Sequence, residues 1–448
     1  THQCFGIAAY NLALDCMADD LIMQSQGNGW FWGDHCYNVK SNYTSSAFRS
    51  YDVWYANYKW IANVNYIIDA EPEMAGTEAD VAYVAGQAYA IRALCYLNLA
   101  TWFSRAPYNS LTGASRWNEP CVPVYTTGTS IDTGGQPRES LRTVYGRIDQ
   151  DIDRAIELLE KARETTLAEN NKSHINLYVA LGIKSRACLA EGDWDGAFKA
   201  AKRVIDEGGY AVGTKSDLTG GMNSLDKQNV MWGAGIQVAD QAGGYAGFFT
   251  HMDNKEGAYA KSAPKLISKQ LYNRISATDI RRDWWDPSDK ESPYVSKKFS
   301  FANVASFLGD YIYMRVEEMY FTAAEAALRL DDLKSARELM NTVMAERDPG
   351  YSANNRSGTL LGATTTTWTG SFLENILTHR RIELWGEYGR LFDVRRLGQG
   401  IDRRTDDGFS EECISMMNRR NVNITKADTY DWVLTIPKAE LDANPNIN

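Results

Sequence analysis

A run of charged residues between Arg380 and Arg390 has the composition of an acid–base centre. If this segment is helical, Glu383 and Glu387 share a face, and the two arginines lie one turn outside them. A carboxylate paired with a guanidinium keeps a low pKa and is therefore a poor general acid. The spacing predicts a structural ion-pair network rather than a catalytic pair.

Other carboxylates, Asp34, Asp240, Asp253 and Glu256, fall in predicted loops. A glycosidase would need two of them across a cleft, roughly 5 to 10 Å apart, and the sequence alone pairs none. The five histidines have no HExxH spacing, and the cysteines contain no CxxC pair. We predict no catalytic residue, no metal ligand and no cofactor, and a glycoside hydrolase is the less favoured alternative.

Three consecutive rings, Trp30, Phe31 and Trp32, lie in a segment with glycines on both sides, and Tyr37 and Tyr43 follow. Three bulky rings in a glycine-bounded loop are difficult to bury together, so at least one should face solvent. The alternative is that this loop packs into a helical core.

A second aromatic cluster alternates with glycines in residues 243–259. Its members are Tyr245, Phe248, Phe249, His251 and Tyr259. The chain as a whole has 13 Trp and 25 Tyr. Such rings pack in cores, but their flat amphipathic faces also suit the C–H surfaces of sugars.

Polar side chains near these rings would supply the hydrogen bonds that orient a ligand. Asn28, Asp34 and Arg49 are our candidates for that role. Trp284 and Trp285 form a third aromatic candidate, although cation–π packing on the two arginines that precede them is the alternative.

The overall composition limits the class of protein. A chain of 448 residues can bury a large core, and its net charge of -10 repels phosphate backbones, so we expect no nucleic-acid partner. The sequence has no apolar run of membrane-spanning length. It starts at Thr1 without a basic and apolar leader, so we interpret it as a mature chain or fragment that lacks its true beginning.

Hydrophobic periodicity predicts a mainly α fold. Residues 45–103 indicate two long helices with a break near 72–77, and further helices are expected near 137–159, 263–274 and 372–388. Two helical hairpins align without gaps, with Asp193-Trp194 in the first turn and Asp332-Leu333 in the second. A small residue at each crossing, Ala197 or Ala336, is typical of tetratricopeptide-like repeats; chance likeness of two amphipathic hairpins is the alternative.

We expect a single domain over residues 1–448. Its helical repeat scaffold would occupy approximately 45–209 and 310–396. Irregular segments at approximately 26–44 and 210–307 contain both aromatic clusters, and long irregular segments in compact proteins are usually functional.

Several motifs, in this order along the chain, carry a family resemblance. They are Arg92-Ala93 with Pro107-Tyr108, Tyr145-Gly146 with Asp151 and Ala155-Ile156, Gly192-Asp193-Trp194, Glu317-Glu318 with Ala324-Glu325-Ala326, Glu346-Arg347, and Arg380-Arg381-Ile382-Glu383-Leu384 with Glu387, Asp393 and Arg395-Arg396. The chain resembles the SusD/RagB family over nearly its whole length. It departs from the family pattern at Gln87, at Ser104-Arg105, and in lacking a lipobox cysteine, for which Cys4 is a poor substitute.

The resemblance implies a SusD-like α/α fold with a ligand face built from the non-repeat segments. It also implies a non-catalytic receptor that binds an oligosaccharide and delivers it to a SusC-like TonB-dependent transporter. The expected place is the cell outer membrane, reached through an N-terminal lipid that this chain does not contain. A peptide in place of the glycan, or a scaffold without a small ligand, are the alternatives.

Overall fold

The computed structural model describes residues 2–37, 47–165, 167, 171–240 and 245–447. Most of its regular structure is helical, which confirms the predicted mainly α class. In chain order the α-helices are α1 Ile7–Met17, α2 Trp32–His35, α3 Phe48–Ala70, α4 Glu78–Phe103, α5 Leu141–Lys161, α6 Leu177–Glu191, α7 Trp194–Glu207, α8 Lys215–Thr219, α9 Phe248–Met252, α10 Ala258–Ser262, α11 Lys269–Tyr272, α12 Val316–Arg329, α13 Leu333–Ala345, α14 Phe372–Glu383, α15 Arg390–Leu397, α16 Glu411–Arg419 and α17 Lys438–Ala443.

The strands are short and form two antiparallel sheets. They are β1 Leu21–Ile22, β2 Val230–Ala234, β3 Leu266–Ile267, β4 Trp285–Asp286, β5 Val295–Ser296 and β6 Tyr311–Arg315. One sheet has the order β1-β3-β5-β4, and the other pairs β2 with β6. Trp232 lies in β2, inside a segment that is expected from the sequence to be irregular.

The chain separates into two compact units. Unit 1 comprises residues 1–38, 204–394 and 399–427, and unit 2 comprises 39–203, 395–398 and 428–448. Helices α3 to α6 belong to unit 2, whereas both sheets, α12 and α13 belong to unit 1. The first part of the expected scaffold therefore lies mainly in unit 2, and its second part shares unit 1 with the irregular segments.

Unit 2 begins with the two long helices that the sequence predicts. The Thr77 side chain accepts a hydrogen bond from the Asp80 amide and so starts α4, as Ser140 does for α5. Helix α4 packs closely on α5, because Gly86 has no side chain where Leu159 approaches. A Cβ atom on residue 86 would lie only 2.9 Å from the Cγ atom of Leu159. Each apolar face is buried by its neighbour.

Both predicted hairpins are present, as α6–α7 and α12–α13. The first turns at Gly192, whose φ of +77° is accessible to glycine at little cost, and its amide closes the end of α6. The second starts α13 with an Asp332 cap on the Ser335 amide. Ala197 and Ala336 are fully buried, as a small crossing residue requires.

Two of the predicted helix boundaries were wrong. Residues 263–274 do not form one helix, because Leu266–Ile267 is held as β3 between β1 and β5. The helix predicted over 372–388 ends at Glu383, because Gly386 has a φ of +76° and reverses the chain before α15. No two cysteines of the described residues are joined by a disulfide, and all but Cys4 are buried.

Candidate functional site

A tight glycine loop in unit 1 holds Trp30 at the surface. Gly27 has a φ of +52°, and a Cβ at this position would collide with the carbonyl oxygen of Ser262. Between the glycines, Asn28 donates from Nδ2 to the Ser262 hydroxyl at 2.9 Å and accepts from the Trp30 amide at 3.1 Å. The loop is therefore fixed to α10 through a side chain that faces solvent.

Four rings meet beside this loop, and we name them the surface ring cluster: His2, Trp30, Tyr245 and Tyr259. His2 stacks on Trp30 with ring centroids 4.8 Å apart, and it lies 5.5 Å from the Tyr245 ring and 5.4 Å from the Tyr259 ring. Its two nitrogens face the hydroxyls of Tyr259 and Tyr245. Tyr245 is 46% exposed, and the other three rings are half-buried.

Further rings, of which His251 and Phe31 are buried, pack against the surface ring cluster; the His251 ring lies 4.9 Å from that of Tyr259. His251 stacks on Phe5 at 5.6 Å and meets the edge of Phe31 at 5.0 Å. Its Nε2 donates to the His2 carbonyl oxygen at 2.6 Å, which fixes the backbone under the cluster. Burial, assisted by the nearby Lys265 ammonium, lowers the pKa of His251 to about 3, so the ring is neutral at pH 7.

The other predicted site residues occupy different environments. Those that are buried are Trp32, Asp34, Tyr37, Phe248, Phe249 and His251 in unit 1, and Arg49 in unit 2. Arg49 pairs with Asp52 at 3.5 Å within its own unit. Tyr43 lies outside the described residues. The geometry thus brings together Asn28, Trp30, Tyr245 and Tyr259 at the surface and places the remaining described candidates in the packing.

Sequence reasoning missed His2, which is central to the surface ring cluster. A single histidine in an N-terminal segment has no periodicity or motif that could indicate its partners. Trp284 and Trp285, the third aromatic candidate, are buried. The cation over the Trp284 ring is Lys298, 4.4 Å from the ring centroid, and not one of the two preceding arginines; Arg282 lies over the Tyr272 ring instead.

The charged run forms a buried ion-pair network, as predicted, but with different partners. Glu383 accepts from Arg281, Arg315 and Arg347 at 2.9–3.1 Å, whereas Glu387 accepts from Arg315 at 2.7 and 2.9 Å. Burial alone would raise the pKa of Glu383, but the guanidiniums of Arg347 and Arg315 hold it well below its usual range. Such a carboxylate does not carry a proton at neutral pH.

The arginines that were expected to pair with Glu383 and Glu387 bind other carboxylates. Arg380 donates to Asp393 at 2.8 Å. Arg390 lies 3.2 Å from Asp19 and 3.0 Å from Asp20. We call the aspartates Asp19 and Asp20 the aspartate pair; Arg381 also donates to both, at 3.0 and 2.6 Å. The contacts of the aspartate pair join positions more than 350 residues apart, which no local pattern reveals.

The described part of the chain contains no group of three or more His, Cys, Asp or Glu side chains placed to hold a metal ion. None of its helices combines the length and the hydropathy that a bilayer crossing requires.

Two family models match the chain. The model described as the SusD family covers residues 256–448, and the model described as starch-binding and associating with the outer membrane covers residues 8–189. A comparison with curated proteins found no match.

Solved structures with the same fold extend over nearly the whole chain. A SusD-like carbohydrate-binding protein from Bacteroides vulgatus is 25% identical, with a TM-score of 0.79 over 100% of this chain and 93% of that chain. A SusD superfamily protein from Bacteroides thetaiotaomicron is 22% identical, with a TM-score of 0.78 over 100% and 96%. Surface glycan-binding protein A from the same species, solved with laminarihexaose, is 16% identical, with a TM-score of 0.69 over 97% and 92%.

The helical hairpins, the two small sheets and these likenesses define a protein of the SusD-like class. The chain belongs to the SusD/RagB family.

Proposed function

We propose that this protein is a non-catalytic receptor that binds an oligosaccharide and delivers it to a SusC-like TonB-dependent transporter. It would act at the cell outer membrane, where a lipid on the full-length protein would anchor it. One of the two matching families is described as starch-binding and associating with the outer membrane, which supports both the ligand class and the place.

The observation that carries the proposal is the surface ring cluster. Tyr245 and the half-buried Trp30 and Tyr259 present ring surface to solvent beside the polar groups of Asn28 and Ser262. Rings of this kind stack on the C–H faces of pyranoses, and amide and hydroxyl groups orient the sugar hydroxyls. The laminarihexaose bound by a structural neighbour of the same fold agrees with this ligand class.

The carboxylates argue against hydrolysis. Glu383 and Glu387 accept hydrogen bonds from guanidiniums, which hold the pKa of each carboxyl below its usual range although burial alone would raise it. The Asp253 carboxylate is buried as well, and its two oxygens accept the amides of Lys255 and Phe301. Carboxylates held in this way orient the backbone and are poorly suited to deliver a proton to a glycosidic oxygen.

Binding is tested by affinity electrophoresis and calorimetry against a panel of polysaccharides and their oligosaccharides. In Trp30→Ala and Tyr245→Ala, loss of one stacking ring should weaken binding about tenfold, which corresponds to roughly 1.4 kcal/mol. Tyr430→Ala is the matched control, because Tyr430 is 61% exposed and lies in unit 2. Unchanged affinity in both ring variants would refute the site.

Two further outcomes would redirect the function. Binding of protein digests but of no glycan selects a peptide receptor. Release of shorter sugars after long incubation establishes a hydrolase. Delivery is tested separately, by asking whether the protein co-purifies with a co-expressed SusC-like TonB-dependent transporter.

A further inference from the structure

A concave surface in unit 2 lies between α3, the loop at residues 125–133 and α17. It has a volume of about 520 Å³ and is lined by aromatic rings. We call it the tyrosine groove and define it by Tyr51, Trp54, Tyr55, Tyr58 and Glu440. Its volume falls within the range of small-ligand sites, roughly 300–1,000 Å³.

Two open rings form one wall of the tyrosine groove. Tyr51 and Tyr55 lie one helical turn apart on α3, and their rings are nearly parallel, at 11° with centroids 5.5 Å apart. They are 47% and 53% exposed, whereas Trp54 beneath them is buried against the edge of Phe103 at 4.9 Å. An exposed pair of large rings beside a cavity is a typical interaction surface.

Hydrogen bonds and ring contacts fix the rest of the groove. Tyr58 donates its hydroxyl to the Pro123 carbonyl oxygen at 2.7 Å and meets the edge of Tyr125 at 6.0 Å. The Tyr125 hydroxyl in turn accepts the Gln136 amide at 3.0 Å. These bonds hold the loop against α3, so the ring surface exists before any ligand arrives.

Polar groups lie at two edges of the tyrosine groove. The Glu440 carboxylate is oriented by the Trp54 indole N–H at 3.3 Å and by the Asn444 amide at 2.8 Å. Across the groove, the hydroxyls of Ser130 and Thr133 lie in the lining, and the Ser130 amide donates to the Thr133 hydroxyl at 2.9 Å. Carboxylate and hydroxyl oxygens accept hydrogen bonds from hydroxyl groups of a ligand.

The charge of the lining indicates a neutral ligand. Lys59 and Glu440 are its charged members, so their charges cancel. The Lys59 ammonium also lies 6.0 Å from the Tyr55 ring centroid. Parallel tyrosine rings with oxygen acceptors at the rims fit a molecule with apolar C–H faces and many hydroxyls better than they fit an aliphatic peptide face.

We propose that the tyrosine groove is a second saccharide-binding site, independent of the surface ring cluster. Its ligand class rests on the proposed function, but its location and residues do not. The groove and the cluster lie in different units and can be altered separately.

Titration calorimetry with maltoheptaose and laminarihexaose tests this inference on the full chain. With a sugar that binds, the wild-type protein should take up two equivalents. Tyr51→Ala/Tyr55→Ala should take up one, or bind at the second site at least about tenfold more weakly. Trp30→Ala/Tyr245→Ala should retain the groove site, and Tyr430→Ala should bind as wild type. Circular dichroism shows whether each variant remains folded.

The outcomes separate the two proposals. Loss of one equivalent in the groove variant alone supports the groove, whatever the cluster variant does. One equivalent in the wild type that the groove variant retains, or two in the groove variant, overturns the second site and leaves the first intact. If neither sugar binds at either site, both proposals fail for neutral glucans. If the groove variant keeps both equivalents of sugar but, unlike the wild type, fails to co-purify with a SusC-like transporter, the groove docks protein and the inference is wrong.

Discussion

Glu383→Gln is the perturbation that tests the buried ion-pair network most directly. The variant keeps the shape of the side chain and removes one negative charge. The carboxylate it replaces is fully buried and accepts hydrogen bonds from Arg281 at 3.1 Å, Arg315 at 3.0 Å and Arg347 at 2.9 Å.

The magnitude follows from the charge balance of the network. Its cations are Arg281, Arg315, Arg347 and Lys298, and its anions are Asp279, Glu317, Glu383 and Glu387. The charges cancel in the wild type, so the substitution leaves one uncompensated positive charge in the interior. Breaking a buried ion pair on one side costs about 3–5 kcal/mol, and we expect a loss of that size in the free energy of unfolding.

Urea denaturation at pH 7, followed by tryptophan fluorescence, measures this loss. Trp284, Trp285 and Trp385 are buried in unit 1 and report its unfolding. The control is Glu338→Gln, because Glu338 has 65% of its side chain exposed and pairs with Lys334 at 3.9 Å. An exposed pair of this kind contributes less than about 1 kcal/mol.

The pH dependence of the free energy of unfolding gives a second check on the ion-pair network. Because the guanidiniums hold the pKa of Glu383 below its ordinary value of 4.5, its contribution is complete above that pH and is lost as the pH falls through the folded-state pKa. The difference between wild type and variant should therefore shrink in acid. A loss of under about 1 kcal/mol at pH 7 would refute the view that this network stabilises unit 1.

Three other changes have defined outcomes. Burial raises the pKa of Asp15 to about 8, so the folded state retains a proton that the unfolded chain releases. The free energy of unfolding of the wild type should therefore fall between pH about 5 and about 8 by on the order of 1 kcal/mol per pH unit. The urea midpoints of Asp15→Asn should lack this slope. Gly27→Ala should weaken glycan binding in calorimetry, because its Cβ would collide with Ser262 and displace the loop that holds the ring surface; wild-type affinity would contradict this. Arg92→Ala should destabilise unit 2 by about 1.5–3 kcal/mol in urea, because it removes the two hydrogen bonds that the buried Asp151 accepts at 2.7 and 2.8 Å and leaves Arg147, at 3.0 Å, as its partner. A loss below about 1 kcal/mol would exclude that role.

Local sequence information was sufficient where a structure depends on neighbouring residues. The helices around Thr77 and Ser140 begin at capping residues and continue with an apolar repeat, so their existence and approximate ends follow from the chain itself. The two hairpins share an aspartate turn and a buried alanine, and both are present. The choice between an acid–base centre and an ion-pair network could also be made, because paired opposite charges have a predictable effect on pKa.

Local sequence information was insufficient where residues distant in the chain determine the secondary structure or the exposure of a side chain. Leu266 and Ile267 fit a helical pattern, yet they form a strand because residues 21 and 22 provide the hydrogen-bonding edge. The same applies to the rings. Phe31 takes a left-handed φ of +62°, and this reversal leaves Trp30 at the surface while Trp32 enters the core. A glycine-rich aromatic sequence indicates a ring-bearing surface, but it does not tell which ring will be exposed.

The aspartate pair has a consequence for how the polypeptide reaches its native state. Asp19 and Asp20 are synthesised side by side, and Arg381 follows 361 positions after Asp20. At about 5–20 residues per second, the ribosome would need on the order of half a minute to supply that guanidinium. Until then the nascent chain has two adjacent carboxylates with no counter-ion from α14, so unit 1 cannot be completed on any fragment that stops before this helix.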